Sequence, residues 1–412
     1  MKLTLSAITF LGIVSLWVVN SGYQNISILK KIGTEKYSKN DVSTSTSLEK
    51  VTSFIAKTLP KDKIVSAEII SEPRVVTHIK TPEHVKAIYM SSWVAGAPSI
   101  RSKLVKIIDE TEINAVVIDV KDNTGLLSWN GRVADLNEFI DELHSKNIYI
   151  IARVAAFQDP LYVKWHPEQA VHSKKTGEIW HDNKGIPWVD TGSQDMWKYI
   201  ENVSKDAYAR GFDEINLDYI RFPTDGPLSD MTFPISGERG LTNKPGIVSD
   251  FYHYITDALH KDGIPVSGDL FGIIMVTKVD IKTLGQDMHT ALETFDYVSP
   301  MVYPSHFYAG TAGYQNPAAH PGEIISYAMK AGVQIANEVA SSTGQATSTI
   351  INKYRPFYQD FDMGASYTAE MVRAQITAGE KLGINSWMLW DPSNKYTPEA
   401  LKKEESSSTN QE

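Results

Sequence analysis

The sequence predicts a (β/α)8 TIM barrel with long strand-to-helix loops, preceded by an N-terminal signal or anchor segment and a linker. Two observations carry this prediction. Eight short apolar runs alternate with segments of helical period between about residues 80 and 402. The connections leading into the runs are short, whereas several of those leaving them are long. In a parallel barrel every strand-to-helix loop emerges at one face, and that face is where such folds build their sites. A doubly wound open sheet is the competing arrangement. No G-x-G-x-x-G follows any strand candidate, which weakens its nucleotide-binding form.

Residues 1–21, "MKLTLSAITFLGIVSLWVVNS", hold an early lysine and then an apolar run from Leu3 to Val19. They read as a signal peptide or a membrane anchor, with a candidate cleavage site at Val19-Asn20-Ser21. Both readings carry the rest of the chain across a membrane, so an extracytoplasmic location is expected, secreted or anchored. Residues 22–79 are polar and include the Ser/Thr-rich "YSKNDVSTSTSLEK", a linker or stalk. Residues 80–402 form the expected barrel, and 403–412 a polar tail.

Within the barrel the strand candidates are residues 85–91, 114–120, 148–154, 214–220, 264–271, 295–303, 354–360 and 384–390. Amphipathic helices are expected where apolar residues recur at i, i+3/i+4 and i+7. One such face holds Ile100, Leu104, Ile107 and Ile108, a second Leu136, Phe139, Ile140 and Leu143, and a third Phe251, Ile255, Ala258 and Leu259. The long exits are residues 155–193, 221–246 and 304–320.

The strand ends collect ionisable groups. In order they are Asp119, Arg153, Asp218 with Arg221, Asp269, Tyr303 with His306, Asp360, and Trp390 with Asp391. Apolar strands avoid charge unless it is paired or used. Carboxylates at five of eight strand ends, with two arginines and many aromatics, suit glycoside hydrolysis. There one protonated carboxyl donates to the leaving oxygen, while an ionised one attacks the anomeric carbon or activates water. Asp218 is the expected nucleophile or base, Asp269 or else Asp119 the acid, and Arg221 the cation that keeps Asp218 ionised. Trp165, Trp180 and Trp188 in the first long loop are expected to stack on sugar faces, and Arg153, Arg221, Tyr303, His306, Asp360, Trp390 and Asp391 to bind the substrate. The competing structural readings are buried acids paired with Lys121, Arg153 or Arg221 for Asp119 and Asp218, helix capping for Asp269, loop hydrogen bonding for Asp360 and Asp391, and packing for the tryptophans.

Other chemistries fit less well. The net charge of −9 and the lack of a basic stripe argue against nucleic acid. With no cysteine, disulfides, thiolate metal sites, cysteine nucleophiles and a lipobox anchor are excluded. The eleven histidines form neither H-x-H nor H-E-x-x-H, so no metal and no cofactor is expected. The expected partner is a polysaccharide or oligosaccharide, with membrane contact only through the N-terminal segment.

Five stretches, "VKAIYMSSWVAG", "NAVVIDVKDNTG", "GFDEINLDYIRFP", "VSPMVYPSHF" and "SWMLWDPSN", together resemble a bacterial family of glycoside hydrolases long catalogued as a domain of unknown function. The resemblance spans roughly residues 82–400. It implies a TIM barrel distantly related to the alpha-amylase superfamily, and carbohydrate cleavage. In that superfamily an Asp nucleophile ends strand four, a Glu acid ends strand five and a stabilising Asp follows strand seven; Asp218, Asp269 and Asp360 fall in similar places. Two departures stand out. Asn216 replaces the superfamily's Arg two residues before the nucleophile, and the strand-five acid is Asp.

Overall fold

A computed structural model of the chain describes residues 76–403. The expected signal or anchor (1–21), nearly all of the linker and the tail lie outside the described residues. Eight parallel strands close into a barrel: β1 (Lys86–Met90), β2 (Ala115–Lys121), β3 (Tyr149–Ala155), β4 (Glu214–Asp218), β5 (Val266–Phe271), β6 (Tyr297–Met301), β7 (Phe357–Gln359) and β8 (Trp387–Trp390). Six lie inside an expected run, and β2 and β3 extend one residue past theirs, to Lys121 and Ala155. Neighbours in space are neighbours in sequence, and β8 closes on β1 with Lys86 opposite Trp387.

Strands buried on both faces read as continuous apolar runs, and β2 and β3 are buried at every residue. One face of each strand packs outward on helices, as with Val116, Ile118, Ile150 and Ala152. The other fills the barrel with Ala87, Tyr89, Ala115, Val117, Tyr149, Ile151, Phe357 and Met388. The principal helices are α1 (Pro98–Glu110), α2 (Leu136–Ser145), α3 (Gln194–Ala209), α4 (Lys244–His260), α5 (Met288–Thr294), α6 (Pro321–Thr343) and α7 (Ala369–Glu380). The expected faces of α2 and α4 are buried. On α1 the buried stripe is rotated to Arg101, Leu104, Val105 and Ile108, leaving Ile100 47% exposed. Arg101 can join that stripe because its guanidinium lies 4.2 Å over Phe139 and pairs with Asp135.

The end of the barrel opposite the loops is plugged by a buried ion pair. Arg355 Nη1 donates to Glu214 Oε2 at 2.6 Å, and Tyr149 and Ser267 hydroxyls also donate to Glu214, at 2.9 and 2.6 Å. The last residues of the expected linker belong to the barrel as well. His78 stacks on Tyr208 at 3.8 Å, and Ile79 N donates to Asp213 at 2.7 Å.

At the loop end, the exits after β3 and β4 are joined by a two-residue antiparallel ribbon, His172–Ser173 with Met231–Thr232. Buried Asp190 clamps the same two loops. It accepts from Gly192 N at 3.1 Å, Ile235 N at 2.8 Å and Ser236 N at 2.9 Å. No helix among the described residues is long and apolar enough to cross a membrane.

Candidate active site

The site rests on the interior face of the barrel, where inward positions alternate along each strand. On β4 these are Glu214, Asn216 and Asp218; on β3, Tyr149, Ile151 and Arg153; on β2, Ala115, Val117 and Asp119. Asp269 follows from β5. Three carboxylates from three strands thereby meet one guanidinium. Arg153 Nη1 donates to Asp119 Oδ1 at 2.6 Å, Nη2 donates to Asp218 Oδ2, and Nε lies 3.7 Å from Asp269 Oδ2. Aromatic rings complete the surround, with Trp390 5.0 Å and Tyr89 5.6 Å from the guanidinium carbon and stacked on each other at 3.9 Å.

The three acids are not equivalent. Asp218 sits where β4 ends. Tyr219 takes a left-handed conformation there, with φ of 54°, turning its N–H back to donate to Asp218 Oδ1 at 2.5 Å. Asp218 keeps 10% of its side chain exposed, against 5% for Asp119 and 1% for Asp269, so it faces the mouth most openly. Asp119 accepts from the Tyr89 hydroxyl at 2.5 Å as well as from Arg153, and burial still raises its pKa above the ordinary range. Asp269 is raised furthest from ordinary behaviour, first by burial and then by the negative charge of Asp218, against the pull of Arg153. Asn216 Nδ2 donates to its Oδ1 at 2.8 Å. Burial and the charge of Asp218 therefore favour the neutral form of Asp269 more than its ordinary value would, beside an Asp218 paired with the guanidinium.

Arg153 and Asn216 are register partners on adjacent strands, so β3 brings the guanidinium beside Asn216. Arg221 does not pair with Asp218. It lies among Trp188, Tyr219 and Phe271 and donates to Phe222 O and Thr224 Oγ1.

Trp180 and Trp188 are not platforms. Both are buried, at 2% and 0% exposure, with Nε1 donating to Pro227 O at 3.2 Å and Asp182 Oδ2 at 3.1 Å. Trp180 packs so closely on Gly226 (φ +98°) that a Cβ there would meet its ring at 3.0 Å. Among the described residues the exposed tryptophans are Trp93, shortly after β1, and Trp165 in the β3 exit loop, at 68% and 70%. Arg132 backs Trp93 at 4.1 Å and is itself fixed by Asp122 at 2.5 Å.

Tyr303 joins the interior cluster, its ring 5.4 Å from that of exposed His306. Asp360 and Asp391 organise the loop after β8. Asp360 accepts from Thr397 N and Oγ1 at 2.9 and 2.7 Å, and Asp391 accepts from Ser393 N. These contacts make them loop-holding groups. Tyr89 and Asn216, which the reading of strand ends passed over, touch the acids directly; alternation along β1 and β4 from Ala87 and Asp218 is the signal that marks them. No group of three or more His, Cys, Asp or Glu among the described residues is arranged to hold a metal ion.

Among solved structures, the chain is similar to the glycoside hydrolase domain of PgaB (BpsB) from Bordetella bronchiseptica. The TM-score is 0.51 at 14% identity, over 75% of this chain and 94% of that one, a likeness of fold. A hypothetical protein from Ruminiclostridium thermocellum is similar at 32% identity over 45% of this chain and 99% of that one, with a TM-score of 0.40. A domain of a thermostable chitinase from Pyrococcus furiosus is similar at 12% identity over 79% and 92%, with a TM-score of 0.47. No curated protein sequence matches. The family model that matches covers residues 87–396, from β1 to the loop after β8, and the chain belongs to that family, described as "Putative glycosyl hydrolase domain".

Proposed function

We propose that this barrel is a glycoside hydrolase that cleaves glycosidic bonds of a cell-surface or environmental polysaccharide at its mouth. The observation that carries the reading is the gathering of Asp119, Asp218 and Asp269 around Arg153, with Asp218 paired with the guanidinium and the pKa of Asp269 raised by burial and by Asp218. Asp218 attacks the anomeric carbon or takes a proton from the attacking water. Asp269 gives its proton to the departing glycosidic oxygen, which leaves as a hydroxyl. All three acids meet one guanidinium, which gathers them on one side of the barrel mouth, and glycosidase mechanisms need two carboxyls placed together in this way. Asp119 is the competing donor, its oxygens already engaged by Tyr89 and Arg153. The apolar run from Leu3 to Val19 supports a site of action outside the cytoplasm, with the barrel secreted or held at the membrane.

The test compares the full chain with Asp218→Asn, Asp269→Asn and Asp119→Asn. Reducing-end release from a panel of bacterial and plant polysaccharides is measured beside hydrolysis of aryl glycosides with good leaving groups. Asp218→Asn should abolish both. Asp269→Asn should lose polysaccharide cleavage by at least ~100-fold, the usual scale of general acid catalysis, and lose far less on aryl glycosides that need no proton. Selective loss in Asp119→Asn instead would move the acid to β2. Glycan binding without release by the parent chain would make this a binding barrel and sink the hydrolase reading.

A further inference from the structure

Arg221 is a buried cation without an anion. The residue is 9% exposed, yet no carboxylate among the described residues comes within ion-pair distance of it. Its Nη1 makes both of its hydrogen bonds, to Phe222 O at 3.0 Å and Thr224 Oγ1 at 3.2 Å. Nε and Nη2 donate to no protein acceptor among the described residues. Three rings from three elements cage the guanidinium: Trp188 at 4.8 Å from the β3 exit loop, Phe271 at 4.8 Å from the end of β5, and Tyr219 at 5.5 Å after β4.

A buried charge left unpaired is costly, and aromatic faces return only part of that cost. The nearby acids do not supply the missing partner. Asp182 and Asp225 lie within electrostatic reach. Asp182 is committed elsewhere, accepting from Trp188 Nε1, Gln158 Nε2 at 3.2 Å, and the backbone N–H groups of Lys184 and Ile186 at 2.9 Å. Those bonds fix the Trp188 wall of the cage. The Nε–Nη2 edge of a guanidinium is a planar two-pronged donor that matches a carboxylate or a sulfate. The site also has the right neighbour, because Arg221 follows Asp218 by three residues and lies within its electrostatic field.

We propose that Arg221 recognises an anionic substituent of the glycan, the carboxylate of a uronic acid or a sulfate ester, on a sugar close to the cleaved bond. The substrate is then an acidic polysaccharide, an inference that rests on the glycosidase reading. Binding alone tests it. In the full chain carrying Asp218→Asn, calorimetric affinity is compared for galacturonic-acid oligosaccharides, the same oligosaccharides after carboxyl reduction, and sulfated galactan oligosaccharides of equal length.

One of the two acidic probes should bind at least ~10-fold more tightly than the neutral one, the scale of a charge-assisted contact. Which acidic probe is preferred separates carboxylate from sulfate. Adding Arg221→Gln should abolish the preference and Arg221→Lys should keep part of it, each shown to be folded by its unfolding transition. Equal affinity for acidic and neutral probes, no binding of either acid, or a preference that survives folded Arg221→Gln would each overturn the proposal. Arg221-dependent binding of an acidic glycan that the parent never cleaves would instead leave this inference standing and defeat the hydrolase reading.

Discussion

Replacing Arg153 with methionine keeps the length of the side chain against Tyr89 and Trp390 and removes the charge shared by Asp119, Asp218 and Asp269. At an effective dielectric constant near 20, one ion pair at about 4 Å is worth roughly 4 kcal/mol of Coulomb energy. The desolvation of Arg153 is regained when it is removed, but the carboxylates stay buried. Breaking a buried pair from one side costs about 3–5 kcal/mol, and that is the expected loss at pH 7. The sign of its pH dependence follows from the acids. Asp119 and Asp269 already have raised pKa values, and losing Arg153 raises them further. The variant's folded state therefore binds more protons than the parent's near neutrality. Its deficit should shrink steadily as the pH falls towards the ordinary carboxylate range, where the acids are neutral in both folded and unfolded chains. Urea unfolding of Arg153→Met and the parent at pH 5 to 8 reads this directly. A deficit under about 1 kcal/mol at pH 7, or one that does not change with pH, would show that the carboxylates are not held by Arg153.

Two further perturbations probe the frame around the site. Burial pushes the Asp360 carboxyl up to about 6, although Thr397 donates twice to it. Its contribution is thus present below the ordinary value near 4 and lost as the pH rises through 6, so Asp360→Asn should gain up to about 3 kcal/mol on the parent between pH 4 and 7; parallel unfolding curves would contradict the burial argument. At the opposite end, Glu214→Leu or Arg355→Met alone should each cost about 3–5 kcal/mol, while the double variant should recover at least half of the summed loss, because the penalty lies in the orphaned charge. A strictly additive double variant would mean that the two side chains do not act as a pair.

The eight strands could be read from the sequence because a barrel strand is apolar on both faces, and runs such as "NAVVIDV" stand out from any local background. The carboxylates at their ends could be read for the same reason, as charges where charge is costly. Their pairing could not. Arg221 follows Asp218 by three residues and looks like its partner, but β4 ends at Asp218 and the turn at Tyr219 carries Arg221 into the aromatic cage. Arg153, sixty-five residues away by sequence, takes that place through strand register. Trp180 and Trp188 misled in another way. Tryptophans in a long loop look like binding surface, but this loop folds back so that both rings join the main hydrophobic core. Glu214 and Arg355 sit at the starts of strand candidates, where an interior plug and a solvent-facing edge give the same local pattern.

The closure of β8 on β1 bears on how the chain reaches this state. Val85 N donates to Ser386 Oγ across 301 residues, and Asn394 Oδ1 accepts from Ser91 N across 303. Until residues 387–390 are available, β1 and β7 both present unpaired edges, and such edges are templates for pairing with other chains. The final strand therefore acts as a latch on the whole assembly pathway: a nascent chain that still lacks it has most of its helices and strands but two sticky rims. The same long-range latch makes the barrel cooperative, since loss of one strand at the C-terminal end opens the first strand at the other.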